Sequence, residues 1–131
     1  MNRLRLPSLA LLLLLFAGSA DATDINAFRK ANGLKPLRQQ SALTALARAH
    51  AQDMARRHSM DHAGFYTIRA RRGVAAENVA YGAASMSGAM QQWIDSWAHR
   101  ANMLRPDFTR YGIASAVSSS GTRFWALELG R

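Results

Sequence analysis

The stretch Trp93–Leu104, WIDSWAHRANML, organises the reading of this chain. Trp93, Trp97 and Ala101 fall four residues apart, so a helix would place them on one face. His99 follows Trp93 by six residues and on a continuous helix points roughly away from it. The two tryptophans are therefore expected to anchor the segment in a core while His99 faces a cleft. Taken alone, the stretch leaves His99 open between a site residue and a surface or capping histidine. Partners elsewhere in the chain decide between the two.

Upstream, Ser85 or Ser87 can cap a helix over Gly88–Trp97, with Met90, Trp93, Ile94 and Trp97 as its apolar face. His99–Leu104 continues as a turn or short helix, closed by Pro106. Downstream, Tyr111–Ser118 and Thr122–Leu129 alternate apolar and polar residues around Ser119-Ser120-Gly121, which predicts a β-hairpin. The strongest helix is Ser41–His58, with Ser41 as cap. Leu43, Leu46, Ala47, His50 and Met54 form one stripe at helical period, and Arg48, Gln52, Asp53, Arg56 and Arg57 lie mainly opposite. A shorter helix is expected over Asp24–Asn32, capped by Thr23 or Asp24 and stopped by Gly33. Pro36 holds Lys35 out of the helical region, so Leu34–Leu37 is an extended connector. Phe65–Arg72 is a short amphipathic piece and Val74–Tyr81 reads as extended or loop. A helix-rich first two-thirds and a terminal hairpin give an α+β class, helices packed on a small antiparallel sheet.

The chain has 131 residues, no cysteine, 17 Lys+Arg against 8 Asp+Glu and a net charge of +9. This length suits one domain. Arg3 and Arg5 precede an apolar run over Leu6–Gly18, followed by the small residues Gly18-Ser19-Ala20 and Ala20-Asp21-Ala22. This predicts a secretory signal peptide over residues 1–22, cleaved after Ala20 or Ala22. The run falls short of the roughly 20 residues that span a bilayer, so no transmembrane segment is expected after cleavage. Without a cysteine, lipid attachment there is excluded. Loss of Arg3, Arg5 and Asp21 leaves 15 basic and 7 acidic residues in a mature domain over residues 23–131. That balance fits an anionic envelope component, such as lipid, glycan or peptidoglycan, as partner, or else a solvated basic surface. No nucleic-acid motif is present and export argues against that partner. A periplasmic or secreted monomer is expected.

The candidate site residues are His62, Glu77 and His99, on different elements and far apart in sequence. His50 lies within an apolar stripe and reads as a packed, hydrogen-bonded core histidine. His58 and His62 are four apart, a spacing that metal ligands can use on a helix, but no Glu follows His58 as in zinc peptidases. Glu77, among small and apolar neighbours, reads either as a structural anchor or as an acid/base group with a raised pKa.

Residue order supplies what spacing does not. Asn26, Arg29 and Gly33-Leu34-Lys35-Pro36-Leu37 resemble the opening of bacterial CAP domains, the superfamily of cysteine-rich secretory proteins, antigen 5 and pathogenesis-related 1. The long helix ending near His62, Arg69 and Glu77-Asn78 continue the resemblance. Trp93, Ser96, His99-Arg100, Asn102-Met103-Leu104, Tyr111-Gly112 and Phe124-Trp125 complete it, over Asp24 to Gly130. The resemblance implies an α-β-α sandwich around a three-stranded antiparallel sheet, with a cleft lined by two histidines and two acidic residues. Carried over by motif, His62 and His99 are the histidines and Glu77 the first glutamate. Ser96 stands where animal and plant members have the second. Ala76 stands where the family usually has Gly, and would be strained if that position needed positive φ. Glu128, in the last strand, could replace the missing carboxylate or face solvent.

Two imidazoles and a carboxylate would suit a divalent cation, zinc first, with His62 and His99 as ligands. The resemblance thus implies a ligand-binding or interaction module with His62, Glu77, Ser96 and His99 in its cleft. The alternative is a metal-assisted hydrolase of peptide or cell-wall material with Glu77 as base. Ser96 is not credible as a nucleophile, since the motif places no Asp to orient His99.

Overall fold

The computed structural model describes residues 24–131. The expected signal segment lies outside the described residues.

Helix α1 (Ile25–Ala31) starts at Asp24, whose side chain accepts a hydrogen bond from the Ala27 N–H at 2.7 Å. It ends at Asn32 and Gly33, the latter in the left-handed region at φ 74°. The motif residues of this opening have structural roles. Asn26 makes paired hydrogen bonds with the backbone of Leu37, at 2.9 and 2.7 Å. Arg29, 1% exposed, donates to the carbonyls of Lys35, Met103 and Arg105 at 2.8–2.9 Å. A buried guanidinium is tolerated because it is surrounded by carbonyl acceptors. These bonds fold the extended connector back over α1 and lead into strand β1 (Arg38–Gln39).

Helix α2 (Ser41–Arg57) follows. Its cap is Gln40 rather than Ser41, and the Thr44 N–H bonds to the Gln40 carbonyl. The predicted stripe is the buried face: Leu43, Leu46, Ala47, His50, Ala51, Met54 and Ala55. His58 terminates the helix with φ 50°. The next segment forms a π-helical turn over Phe65–Arg69 and a 3-10 turn over Ala70–Arg72. Strand β2 (Ala76–Tyr81), helix α3 (Met86–Asp95), helix α4 (Trp97–Met103), strand β3 (Arg110–Val117) and strand β4 (Arg123–Gly130) complete the chain. No helix among the described residues is long and apolar enough to cross a membrane.

The sheet order is β1-β3-β4-β2. The antiparallel hairpin β3–β4 and the antiparallel pair β4–β2 are the three expected strands. A fourth, two-residue strand is an addition to that expectation: β1 pairs parallel to β3 through Arg38↔Arg110 and Gln39↔Tyr111. Its sequence carries no alternation to read; pairing comes from the connector lying against β3.

Strand alternation divides the sandwich. Ala47, Ala51, Met54 and Ala55 of α2 pack on Val79, Phe124 and Ala126. On the other face Ile25, Met90, Trp93 and Met103 pack on Ala80, Trp125, Leu127 and Leu129. The result is the expected α-β-α sandwich, α2 on one side and α1, α3 and α4 on the other. At Gly112 helix and sheet come into backbone contact, for a Cβ there would lie 2.1 Å from the Thr44 nitrogen.

The tryptophan expectation fails in half. Trp93 is 1% exposed and its Nε1–H donates to the Val79 carbonyl at 3.0 Å, but Trp97 is 77% exposed. Ser96 breaks the helix with extended dihedrals, φ −101° and ψ 119°. The four-residue spacing therefore no longer maps onto one face, and Trp97 opens α4 pointing into solvent.

Candidate functional site

Glu77 occupies the second position of β2, and alternation turns its side chain to the α2 face. There it meets three elements. Arg69, from the π-helical turn, bonds through Nε to Glu77 Oε2 and through Nη2 to Oε1 at 2.9 Å. His62, from the loop after α2, places Nδ1 2.7 Å from Glu77 Oε1. His50, from α2, lies with Nε2 3.6 Å from the same oxygen and hydrogen-bonds the Asp61 carbonyl at 2.8 Å. His50 is thus the packed, hydrogen-bonded residue its stripe implied. Arg69 is also held by the Ala63 carbonyl at 2.9 Å.

Pairing of β2 with β4 sets Glu128 opposite Glu77. Glu128 is 0% exposed, so the solvent-facing option is excluded. Arg69 Nε lies 3.4 Å from Glu128 Oε1. One guanidinium thus serves two buried carboxyl groups. Among the described residues, the Glu128 oxygens are the buried side-chain polar atoms without a hydrogen-bond partner. Two carboxylates have no proton to share; one proton on Glu128 supplies the bond to Glu77. Burial, that hydrogen bond and the charge of Glu77 push the Glu128 carboxyl up to about 10. Burial alone would raise Glu77 too, but hydrogen bonds from Glu128, Arg69 and His62 outweigh it and hold Glu77 below the ordinary value. Glu77 is the ionised member and Glu128 the neutral one. Glu77 is therefore the anchored carboxylate, not an acid/base group of raised pKa.

On the opposite face, Asn78 is fully buried and places α4. Its Nδ2 donates to the His99 carbonyl at 3.0 Å, and its Oδ1 accepts from Asn102 at 2.9 Å. His99 is half-buried, and burial, followed by the positive charge of nearby His62, lowers its pKa. Ser96 sits half-buried at the junction of α3 and α4 and its side chain makes no cap bond. Ala76 lies within β2, and His58 is the positive-φ non-glycine among the described residues, so the family's Gly position is not strained here. His58 and His62 do not form a helical pair: the His58 ring lies 3.2 Å from Ser119 Oγ at the hairpin turn.

Between these elements opens a cleft of about 450 Å³ lined by His62, Glu77, Phe65, Tyr66, Ala75, Ala76 and Asn102; of the expected cleft residues, His62 and Glu77 line it, and Ser96 and His99 do not. The side chain of His62 is half-exposed there while that of Glu77 is buried beneath it. His62 meets Glu77 through Nδ1, which leaves Nε2 as its second ring nitrogen. Both Glu77 oxygens are already committed. Among the described residues no group of three or more His, Cys, Asp or Glu is arranged to hold a metal ion. Among the lining residues the donor left to a cation is the His62 imidazole, with Glu77 behind it as the orienting carboxylate. Sequence reasoning missed two roles. Arg69 reads as one basic residue on an amphipathic piece, and Asn78 as part of a motif without a task; only their buried partners reveal them.

The model of the cysteine-rich secretory protein family, CAP, matches residues 23–129. The uncharacterised protein YkwD of Bacillus subtilis (strain 168) is 34% identical over 104 residues, covering 72% of this chain, which spans only 40% of that protein's length. Among solved structures, an outer surface protein of Borrelia burgdorferi superposes with a TM-score of 0.69 at 14% identity, over 84% of this chain and 88% of that one. An extracellular SCP-domain protein of Bacillus anthracis str. Ames gives 0.61 at 25% identity, over 82% of this chain and 37% of that one. With family model, sandwich and residue order in agreement, this cysteine-free chain belongs to the cysteine-rich secretory protein (CAP) family.

Proposed function

We propose that this chain is an exported binding module that uses the cleft at His62, with His99 near it, to hold an anionic component of the cell envelope. The observation that carries this reading is the state of Glu77. Its two oxygens take charge-assisted hydrogen bonds from Arg69 and His62, and its pKa is held low. A carboxylate so engaged is a poor proton acceptor, which weighs against the hydrolase alternative. It is a good orienter of the imidazole above it. His62 and His99 are the residues that would hold a divalent cation, zinc first. A bound cation would supply a Lewis-acidic contact for a carboxylate or phosphate on the ligand. The excess of basic over acidic residues favours anionic partners at long range. Export is supported by the leader's composition and by relatives described as extracellular or outer-surface proteins.

Calorimetric titration with zinc, on wild type and on His62→Ala/His99→Ala, tests the cleft. Saturable binding by wild type and its loss in the double variant are expected. Equal heats from both proteins would remove the cation from this reading. Binding to anionic vesicles or purified peptidoglycan that does not depend on the cleft histidines would remove the reading itself.

A further inference from the structure

A second depression lies at the other end of strand β2. Its volume is about 490 Å³ and it is lined by His58, Ser59, Met60, Tyr81, Ser120, Thr122 and Phe124. Pockets that hold small ligands run from about 300 to 1,000 Å³. Tyr81 is 55% exposed, yet its ring is fixed from behind, stacked on buried Phe124 with centroids 6.1 Å apart and planes at 26°. Around this aromatic face stand the Thr122 hydroxyl, the His58 imidazole, 3.5 Å from Ser120 Oγ, and the hydroxyls of Ser59 and Ser120, which also bond to Asp61 Oδ2 at 3.2 Å and to Ser118 Oγ at 2.9 Å. No Asp, Glu, Lys or Arg lines the depression.

That chemistry selects the ligand. A rigid exposed aromatic face takes a flat apolar surface, and the ring of neutral donors and acceptors takes hydroxyl groups. A pyranose ring presents both, an apolar C–H face and a polar edge. A metal ion would find one imidazole, and an ionic headgroup would find no counter-charge.

The two depressions are aligned. Glu77 and Tyr81 are four residues apart on one strand, so their side chains share a face about 13 Å apart at roughly 3.3 Å per residue. The segment from Ser59 to His62 runs beside the strand. Ser59 and Met60 line the Tyr81 end, and His62 lines the Glu77 end. Each end carries an exposed tyrosine, Tyr81 at one and Tyr66, 82% exposed, at the other. We propose that the Tyr81 depression is a sugar-binding subsite and that, with the His62 cleft, it forms one track for a linear pyranose glycan. The subsite stands on its own geometry; its extension rests on the binding reading of the cleft.

The test uses chitooligosaccharides from the disaccharide to the hexasaccharide, followed by calorimetry and amide chemical-shift mapping. The disaccharide is expected to shift Tyr81, Ser120 and Thr122, and longer oligomers to extend the shifts to His62 with rising affinity. Tyr81→Ala should weaken every oligomer about tenfold, a change of about 1.4 kcal/mol. Thr122→Ala, which keeps the bond from the Thr122 backbone N–H to Ser118 Oγ, should weaken binding without altering the fold. His62→Ala should weaken only the longer oligomers. Shifts absent from Tyr81 and Thr122, or affinities unchanged by both variants, would overturn the subsite. Affinity independent of oligomer length would overturn the track while leaving zinc binding at the cleft untouched. Zinc binding lost with oligomer binding intact would instead count against the cleft reading alone.

Discussion

Replacing Glu128 with glutamine should make this protein more stable at neutral pH, although the residue is wholly buried beside an arginine. The simpler expectation is the reverse, because breaking a buried ion pair typically costs about 3–5 kcal/mol. The geometry argues otherwise. Arg69 already serves Glu77, and Glu128 has no other partner, so native Glu128 keeps a proton that the unfolded chain releases near pH 4.5. A group whose folded pKa is raised stabilises fully below its unfolded pKa and loses that contribution as pH rises through the folded value, here about 10. Across that window wild-type stability falls by about 1.4 kcal/mol per pH unit for the single proton. At neutral pH the cost is at most about 3 kcal/mol, and half that is a reasonable figure after relaxation. The amide introduced by Glu128→Gln has no proton to lose, and its N–H can donate to Glu77 as the protonated acid does. Urea unfolding of both proteins near pH 5, 7 and 9 should give a difference close to zero at the lowest value and growing in favour of Glu128→Gln with pH. If the variant is instead less stable by a constant amount, Glu128 is ionised and paired with Arg69, and the assignment of the proton is wrong.

Other outcomes follow from the same contacts. Gly112→Ala should cost about 3 kcal/mol or more in the same unfolding assay, because the new Cβ would meet α2 backbone atoms at 2.1–2.6 Å and backbone cannot turn aside. Trp97→Ala should leave stability within about 0.5 kcal/mol of wild type, while Trp93→Ala costs about 3–5 kcal/mol; comparable losses would mean that both rings are packed. In His62→Ala, NMR titration should show the His99 pKa rising part of the way to its ordinary value, since a like charge is removed while burial remains. No movement would place the two imidazoles out of electrostatic reach. Asn78→Ala should cost about 1–3 kcal/mol by leaving the His99 carbonyl and the Asn102 amide without their partner, and should perturb His99 resonances before those of His62.

Much of the fold can be read in the sequence because it is written at short range. The α2 stripe, the Asp24 cap, the Gly33 stop and the hairpin about Ser119–Gly121 depend on residues within four or five positions of one another. The same local reasoning misleads at Trp97. Four-residue spacing is a statement about a continuous helix, and Ser96 interrupts it with extended dihedrals that nothing in the local pattern announces. Strand β1 is equally silent, being two exposed residues whose pairing depends on the Asn26 and Arg29 contacts that fold the connector.

For the site, the sequence by itself determined which residue types were available and, through residue order, which family's cleft they resemble. His62, Glu77 and His99 were nameable on that basis. Tertiary structure alone decided what surrounds each. Strand register sets Glu77 opposite Glu128, the turn after α2 brings Arg69 between them, and burial then lets the two carboxyl groups share one proton and the positive charge of Arg69 beneath His62. These partners lie 8 to 51 residues from Glu77 along the chain, so no periodicity links them. Protonation state depends on solvent exclusion and on the distance to the nearest charge, quantities that exist only once the chain has folded.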